Sequence, residues 1–197
     1  MKDYGNEQVL VLSNDDLEYL LNKPDFTDLE SYVDNLGHFK LRNDVETDPE
    51  YRQVIPYVLV RMKEPIDGVY EYLVAKRLKG VLAGGHTLGF GGHINPCDRV
   101  ANMTQTKACI YRELTEELGI PKDKILKLED TNSVIYNDEN DVNRVHLGMI
   151  FIAEVEYADY KINEPENLEL LNVSYNQLDQ VPDLESWSEK TIELLGL

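Results

Sequence analysis

Apolar and polar residues alternate in short blocks along the chain, and the period of each block predicts an element. Near the start, the unbroken run Val9-Leu10-Val11-Leu12 predicts a short buried strand, and Asn14-Asp15-Asp16 caps a helix reaching Leu20 and Leu21. A second, acidic helix is expected from Asp28 to about Asn35. Gly37 then offers a stop in the left-handed geometry that glycine tolerates.

From Gln53 the pattern changes. Val54, Tyr57, Leu59 and Val60, then Tyr70, Tyr72, Val74 and Ala75, predict two strands joined as a hairpin by Glu64-Pro65-Ile66-Asp67-Gly68. The glycine-rich stretch Gly84 to Gly92 leads to a helix predicted from about Thr104 to Leu118, ended by Gly119 and Pro121. Further strands are expected at Ser133 to Tyr136, Val145 to Val155 and Leu168 to Val173. A C-terminal amphipathic helix is expected from about Leu184 to Leu195, with Trp187, Ile192 and Leu195 as candidate core contacts. This interleaving of helices and strands, with no repeat or low-complexity tract, predicts a mixed α/β domain over residues 51–197 and an N-terminal extension over residues 1–50 packed on it.

Composition narrows the function. With 42% apolar residues the chain can bury a real interior, so a disordered class is excluded. Nineteen basic against 37 acidic residues give a net charge of −18, which repels nucleic-acid polymers but suits a protein that gathers magnesium or manganese around a phosphate substrate. Cys97 and Cys109 form no CxxC pattern and have no histidine at zinc spacing, so neither a disulfide framework nor a structural zinc is expected. No apolar signal core or membrane span stands out, and the cytoplasm is the expected location.

The densest chemistry lies in Arg112-Glu113-Leu114-Thr115-Glu116-Glu117-Leu118-Gly119-Ile120. On a helix Glu113 and Glu117 stack at i,i+4 with Glu116 beside them, while Ile110, Leu114 and Leu118 fall on another stripe. Three acids on one face repel one another, so the face wants either open solvent or a cation. Upstream, Gly91-Gly92-His93-Ile94-Asn95-Pro96 would let main-chain groups approach a metal or phosphate closely.

Together these segments resemble the Nudix box: Gly, five residues, Glu, seven residues, then Arg-Glu-hydrophobic-x-Glu-Glu-x-Gly-hydrophobic. Residues 112–120 match the second half at every specified position, and Gly92 matches the leading glycine. Asp98 stands where the box has its first glutamate, and residues 99–111 intervene before Arg112, thirteen where the box has seven. Counted back from Arg112 at the standard spacing, the glutamate position is Thr104. The chain also resembles, more loosely, a Nudix-like subgroup in which a Gly-Gly-His-Ile-Asn stretch, here Gly91 to Asn95, precedes a lengthened box loop.

The resemblance implies a Nudix-like α/β/α sandwich with a mixed β-sheet. It implies a hydrolase cleaving a diphosphate linkage in a small nucleoside-diphosphate derivative, with Mg²⁺ or Mn²⁺ as cofactor. Glu113, Glu116 and Glu117 would bind metal, with the Gly91 carbonyl as a further ligand; Glu113 and Glu117 would serve catalysis and Arg112 would orient the glutamates. Family members often recruit another acid, for which Glu164, Glu166 and Glu169 are candidates. Substrate contacts are expected from His93 and from Arg77, the latter beside Lys76 and Lys79, whereas His86 and His146 read as loop or sheet-edge residues. No membrane partner is expected, and a homodimer is compatible with an enzyme of this kind. The alternative is a catalytically weak or inactive Nudix-fold module that binds a nucleotide for regulation; metal-dependent product formation separates the two.

Overall fold

The computed structural model describes residues 3–22, 28–64, 68–78, 84–156 and 168–197. The chain forms two compact units: Met1–Pro56 with Gly92–Ile110 and Val134–Met149, and Tyr57–Gly91 with Tyr111–Ser133 and Ile150–Leu197. Strands and helices interleave as expected of a mixed α/β chain.

In the first unit, β1 (Gln8–Ser13) is the predicted apolar strand, its Val9 to Leu12 fully buried. α1 (Asn14–Leu21) follows at once, but the cap is Ser13 rather than the Asn14 triplet: Asp16 closes a reciprocal capping box with Ser13. α2 (Leu29–Leu36) ends at Gly37, whose φ of −66° and ψ of 145° are extended, not left-handed. Glycine is needed there for space, since a Cβ would stand 2.8 Å from the Val33 carbonyl oxygen and 2.9 Å from the Leu10 side chain. β2 (His38–Leu41) pairs antiparallel with β1, and a single turn of helix, α3 (Arg42–Val45), leads into β3 (Tyr51–Lys63). The start of β3 pairs with β1, Val11 opposite Gln53.

In the second unit the far half of β3 forms the predicted hairpin with β4 (Tyr70–Arg77), Lys63 opposite Tyr70; the turn residues 65–67 lie outside the described residues. β5 (His86–Thr87) pairs with β4 and β6 (Gly89–Phe90) with β3. Gly89 has no room for a side chain, because a Cβ would penetrate the Tyr57 ring.

α4 spans Gln105–Leu118, one residue inside the predicted start, and Gly119 ends it with φ of 62°. β7 (Ile125–Ile135) is longer than the expected strand, beginning at Ile125, where Leu126 and Leu128 alternate with Lys127 and Glu129; it pairs with β8 (His146–Val155). β8 is buried almost throughout, as is β3, a pattern of strands covered on both faces.

β9 (Leu168–Ser174) pairs with β4 along its whole length, and α5 (Ser186–Leu195) closes the chain. The expected core contacts of α5 need correction: Ser188 and Thr191 are its buried residues, while Trp187, Ile192 and Leu195 are only partly covered. This helix docks through hydrogen bonds. Ser188 Oγ receives the Leu88 amide at 2.9 Å and lies 2.8 Å from the Tyr57 hydroxyl. Trp187 meets Tyr57 edge-on, ring centres 5.6 Å apart. No helix among the described residues is long and apolar enough to cross a membrane.

Candidate active site

α4 is oriented by its apolar stripe. Ile110, Leu114 and Leu118 are fully buried, which by helical geometry turns Glu116 away from the core and leaves Glu113 and Glu117 flanking the buried stripe. Arg112 Nη1 donates to Glu113 Oε1 at 2.5 Å and to Glu116 Oε2 at 3.3 Å, so the structure brings these three side chains together. Their environments differ: 14% of the Glu113 side chain is exposed against 61% for Glu116, placing one acid against protein and the other in solvent. Glu117 is half-buried, one turn beyond Glu113.

The glycines approach the same helix one turn earlier. Cys109 is fully buried, with Sγ 3.7 Å from the Gly92 carbonyl oxygen and 3.5 Å from that of His93. Cys109, Glu113 and Glu117 share a stripe at i, i+4, i+8. Gly91 lies in the same compact unit as the three acids, and its φ of 144° is a conformation that side chains disfavour. Carboxylate and main-chain carbonyl oxygens are the donors that magnesium and manganese take in preference to softer metals. Among the described residues no three His, Cys, Asp or Glu side chains form a ready-made metal cage.

Other expected site residues have protein partners. His93 Nε2 lies 3.3 Å from His146 Nε2, and His146 Nδ1 lies 2.7 Å from the Val142 carbonyl oxygen. A carbonyl only accepts, so His146 carries its proton on Nδ1 and offers the Nε2 lone pair to the N–H of His93. Burial holds His146 below its ordinary pKa, keeping it neutral at neutral pH. The lone-histidine readings thus missed a pair, because residues 53 apart in sequence carry no local signal.

Arg77 sits at the end of β4 with Nε 3.9 Å from Glu185 Oε2 and 36% of its side chain exposed. Glu185 also accepts from the Thr87 hydroxyl and lies 3.4 Å from that of Tyr57. Burial, and after it the Glu185 charge, raise the Tyr57 pKa far enough that the phenol stays neutral. Asp98 is 3% exposed and receives the Asn95 amide at 2.8 Å, with the Asn95 side chain returning a bond; its carboxylate closes the turn Pro96–Asp98. Glu169 is exposed on β9, opposite Lys76 of β4. Glu164, Glu166 and Lys79 lie outside the described residues.

No family model matches the chain. Protein YmaB of Bacillus subtilis (strain 168) is 32% identical to it over 162 residues, spanning 78% of this chain and 76% of YmaB. Among solved structures, Tm1382, a protein assigned to the Nudix hydrolases, superposes with a TM-score of 0.77 at 24% identity, over 96% of this chain and 98% of that one. The Nudix domain of Shewanella oneidensis NrtR, solved with ADP ribose, superposes with a TM-score of 0.57 at 16% identity, over 73% of this chain and 86% of that domain. At these identities the two structures speak for the fold.

Proposed function

This chain has the Nudix fold and belongs to one family with protein YmaB of Bacillus subtilis; from that premise we propose that it is a divalent-cation-dependent hydrolase of a diphosphate linkage in a nucleoside-diphosphate derivative. The observation that carries the proposal is the acidic stripe of α4, in which Arg112 gathers Glu113 and Glu116 one turn from Glu117 within a half-box matched at every specified position.

A diphosphate resists attack because its anionic oxygens repel the nucleophile, so a site must neutralise charge, position water and stabilise the departing phosphate. Magnesium or manganese, when bound, would supply the charge neutralisation and acidify the attacking water. Glu113, Glu116, Glu117 and the Gly91 carbonyl would hold it. Arg112 keeps Glu113 and Glu116 from splaying apart by a charge-assisted contact to each. Glu117 accepts the proton of the attacking water. Arg77, partly exposed beside Glu185, would meet the phosphate oxygens.

The ADP ribose held by the NrtR domain makes that compound the first to try. The decisive experiment is a magnesium- and manganese-dependent hydrolysis screen over ADP-ribose, nucleotide sugars, dinucleoside polyphosphates and nucleoside triphosphates, with the Glu117→Gln protein alongside. Products that appear only with metal and only with the parent protein support the reading. Equal turnover by the variant, or no product from any compound, refutes it.

A further inference from the structure

Thr104 occupies the place that the box spacing gives to a glutamate, yet a carboxylate is present there in space. The Thr104 hydroxyl donates to Oε1 of Glu30, a residue of α2 far away in sequence. Lys107 Nζ, in the first turn of α4, stands 3.0 Å from Oε2 of the same carboxylate. Glu30 is only 5% exposed, and burying a carboxylate is costly unless charge and hydrogen-bond partners meet it, which is what Thr104 and Lys107 do.

Four residues along α2, Asp34 completes the arrangement. Its Oδ2 receives the Gln105 amide at 2.6 Å, and its Oδ1 receives the Thr106 amide at 3.4 Å and the Thr106 hydroxyl at 2.8 Å. Thr104 Oγ1 receives the Lys107 amide at 3.3 Å, and the Ala108 amide makes the first bond along the helix, to the Thr104 carbonyl at 3.1 Å. The first amides of a helix lack partners within it, and here each is met, two of them by an acid from another helix whose charge also favours the positive helix end.

We propose that α2 stands in for the missing box glutamate: Glu30, reached through Thr104, ties down the start of the box helix while Asp34 caps it, so the N-terminal segment sets the position of the acids that α4 carries. Both are positioning residues, not catalytic ones, and the effect on turnover rests on the hydrolase reading above. The lengthened box loop enters α4 without its own carboxylate at position 104, and α2 provides that carboxylate from outside the box.

The test uses Glu30→Gln, Asp34→Asn, Thr104→Glu and the double variant Glu30→Gln with Thr104→Glu in the full chain. Turnover and amide hydrogen exchange of residues 105–108 are read for each. Glu30→Gln is expected to lower turnover about tenfold with little change in KM, as loss of an orienting contact does. Its first-turn amides should exchange about fivefold faster, and those of Asp34→Asn likewise, the size of a lost cap. Thr104→Glu alone sets two carboxylates together and should also impair both readouts. The double variant should recover most of the loss, because the carboxylate is back at position 104 beside Lys107. A generic packing defect would not be rescued this way. Unchanged exchange in Glu30→Gln and Asp34→Asn, or a double variant no better than its worse parent, overturns the proposal. If the parent chain hydrolyses nothing, the hydrolase reading fails by itself, and exchange and its rescue still decide whether Glu30 and Asp34 anchor the helix.

Discussion

At its first turn α4 has its amides met by Thr104 and by Asp34 of α2, whereas its last two turns carry three acids on one stripe beside Arg112. The two ends contain similar chemical groups, carboxylates near a cation and a helix backbone, but they use them differently. Asp34 and Glu30 are spent on amides, hydroxyls and Lys107 and leave the first turn fixed. Glu116 keeps 61% of its side chain exposed, and Arg112 reaches it while also holding the mostly covered Glu113. A rigid start and a charge-crowded end make one helix both an anchor and a platform, and the division can be broken at each end separately.

The largest effect is expected at the working end. Glu117→Gln should lower turnover by about 10³ if this acid takes the proton, while the thermal midpoint moves little, since a neutral isostere relieves repulsion on the stripe. A variant that unfolds in parallel with its loss of activity would show the two ends to be one structural unit. Next comes the buried side between them: Leu114→Ala, at a fully buried position, should cost about 3 kcal/mol of stability in denaturant unfolding. A loss below about 1 kcal/mol would mean that the apolar stripe does not orient the acids.

Thr106→Val removes a buried hydroxyl bonded to Asp34 and should cost about 2 kcal/mol, a value for hydrogen bonds to charged groups, with activity falling only in proportion to folded protein. Arg112→Lys keeps the charge but loses the fork that reaches both Glu113 and Glu116, so a roughly tenfold fall in turnover with unchanged stability is expected from steady-state kinetics.

The smallest effect concerns His146, which holds His93 beside the glycines. Its folded pKa lies below the ordinary 6.5 because of burial, so the unfolded chain takes up a proton first as pH falls. The contribution of this group is full above pH 6.5 and is lost as pH drops through and below it. The stability gap between the parent and His146→Phe should therefore narrow from pH 8 to pH 5.5 in urea titrations; a constant gap would show that His146 is not buried neutral.

Local periodicity made much of this molecule readable. The 3.6-residue spacing of Ile110, Leu114 and Leu118 announced α4, and Gly119 ends that helix where expected, with a φ of 62°. The hairpin of β3 and β4 was legible from apolar runs flanking a Pro and Gly turn. Other elements were harder: the first half of β7 offers only the short alternation of Leu126 and Leu128 with charged residues, and the buried positions of α5 are Ser188 and Thr191, small hydroxyl residues that sequence patterns place on a surface. Gly37 was read as a left-handed stop when its role is to leave room for Leu10 and the Val33 carbonyl, a close approach that only packing reveals.

What the residue order alone determined is therefore short-range: which segments are helix or strand, and that three acids and an arginine share one helical face, because spacing along a helix dictates who is neighbour to whom. Tertiary structure decided the rest, from the pairing of His93 with His146 to the turn-closing use of Asp98 and the reach of Glu30 and Asp34 to the start of α4. The bond from Asp34 to Gln105 joins positions 71 residues apart, and no local propensity encodes which distant carboxylate folding will bring to a helix end.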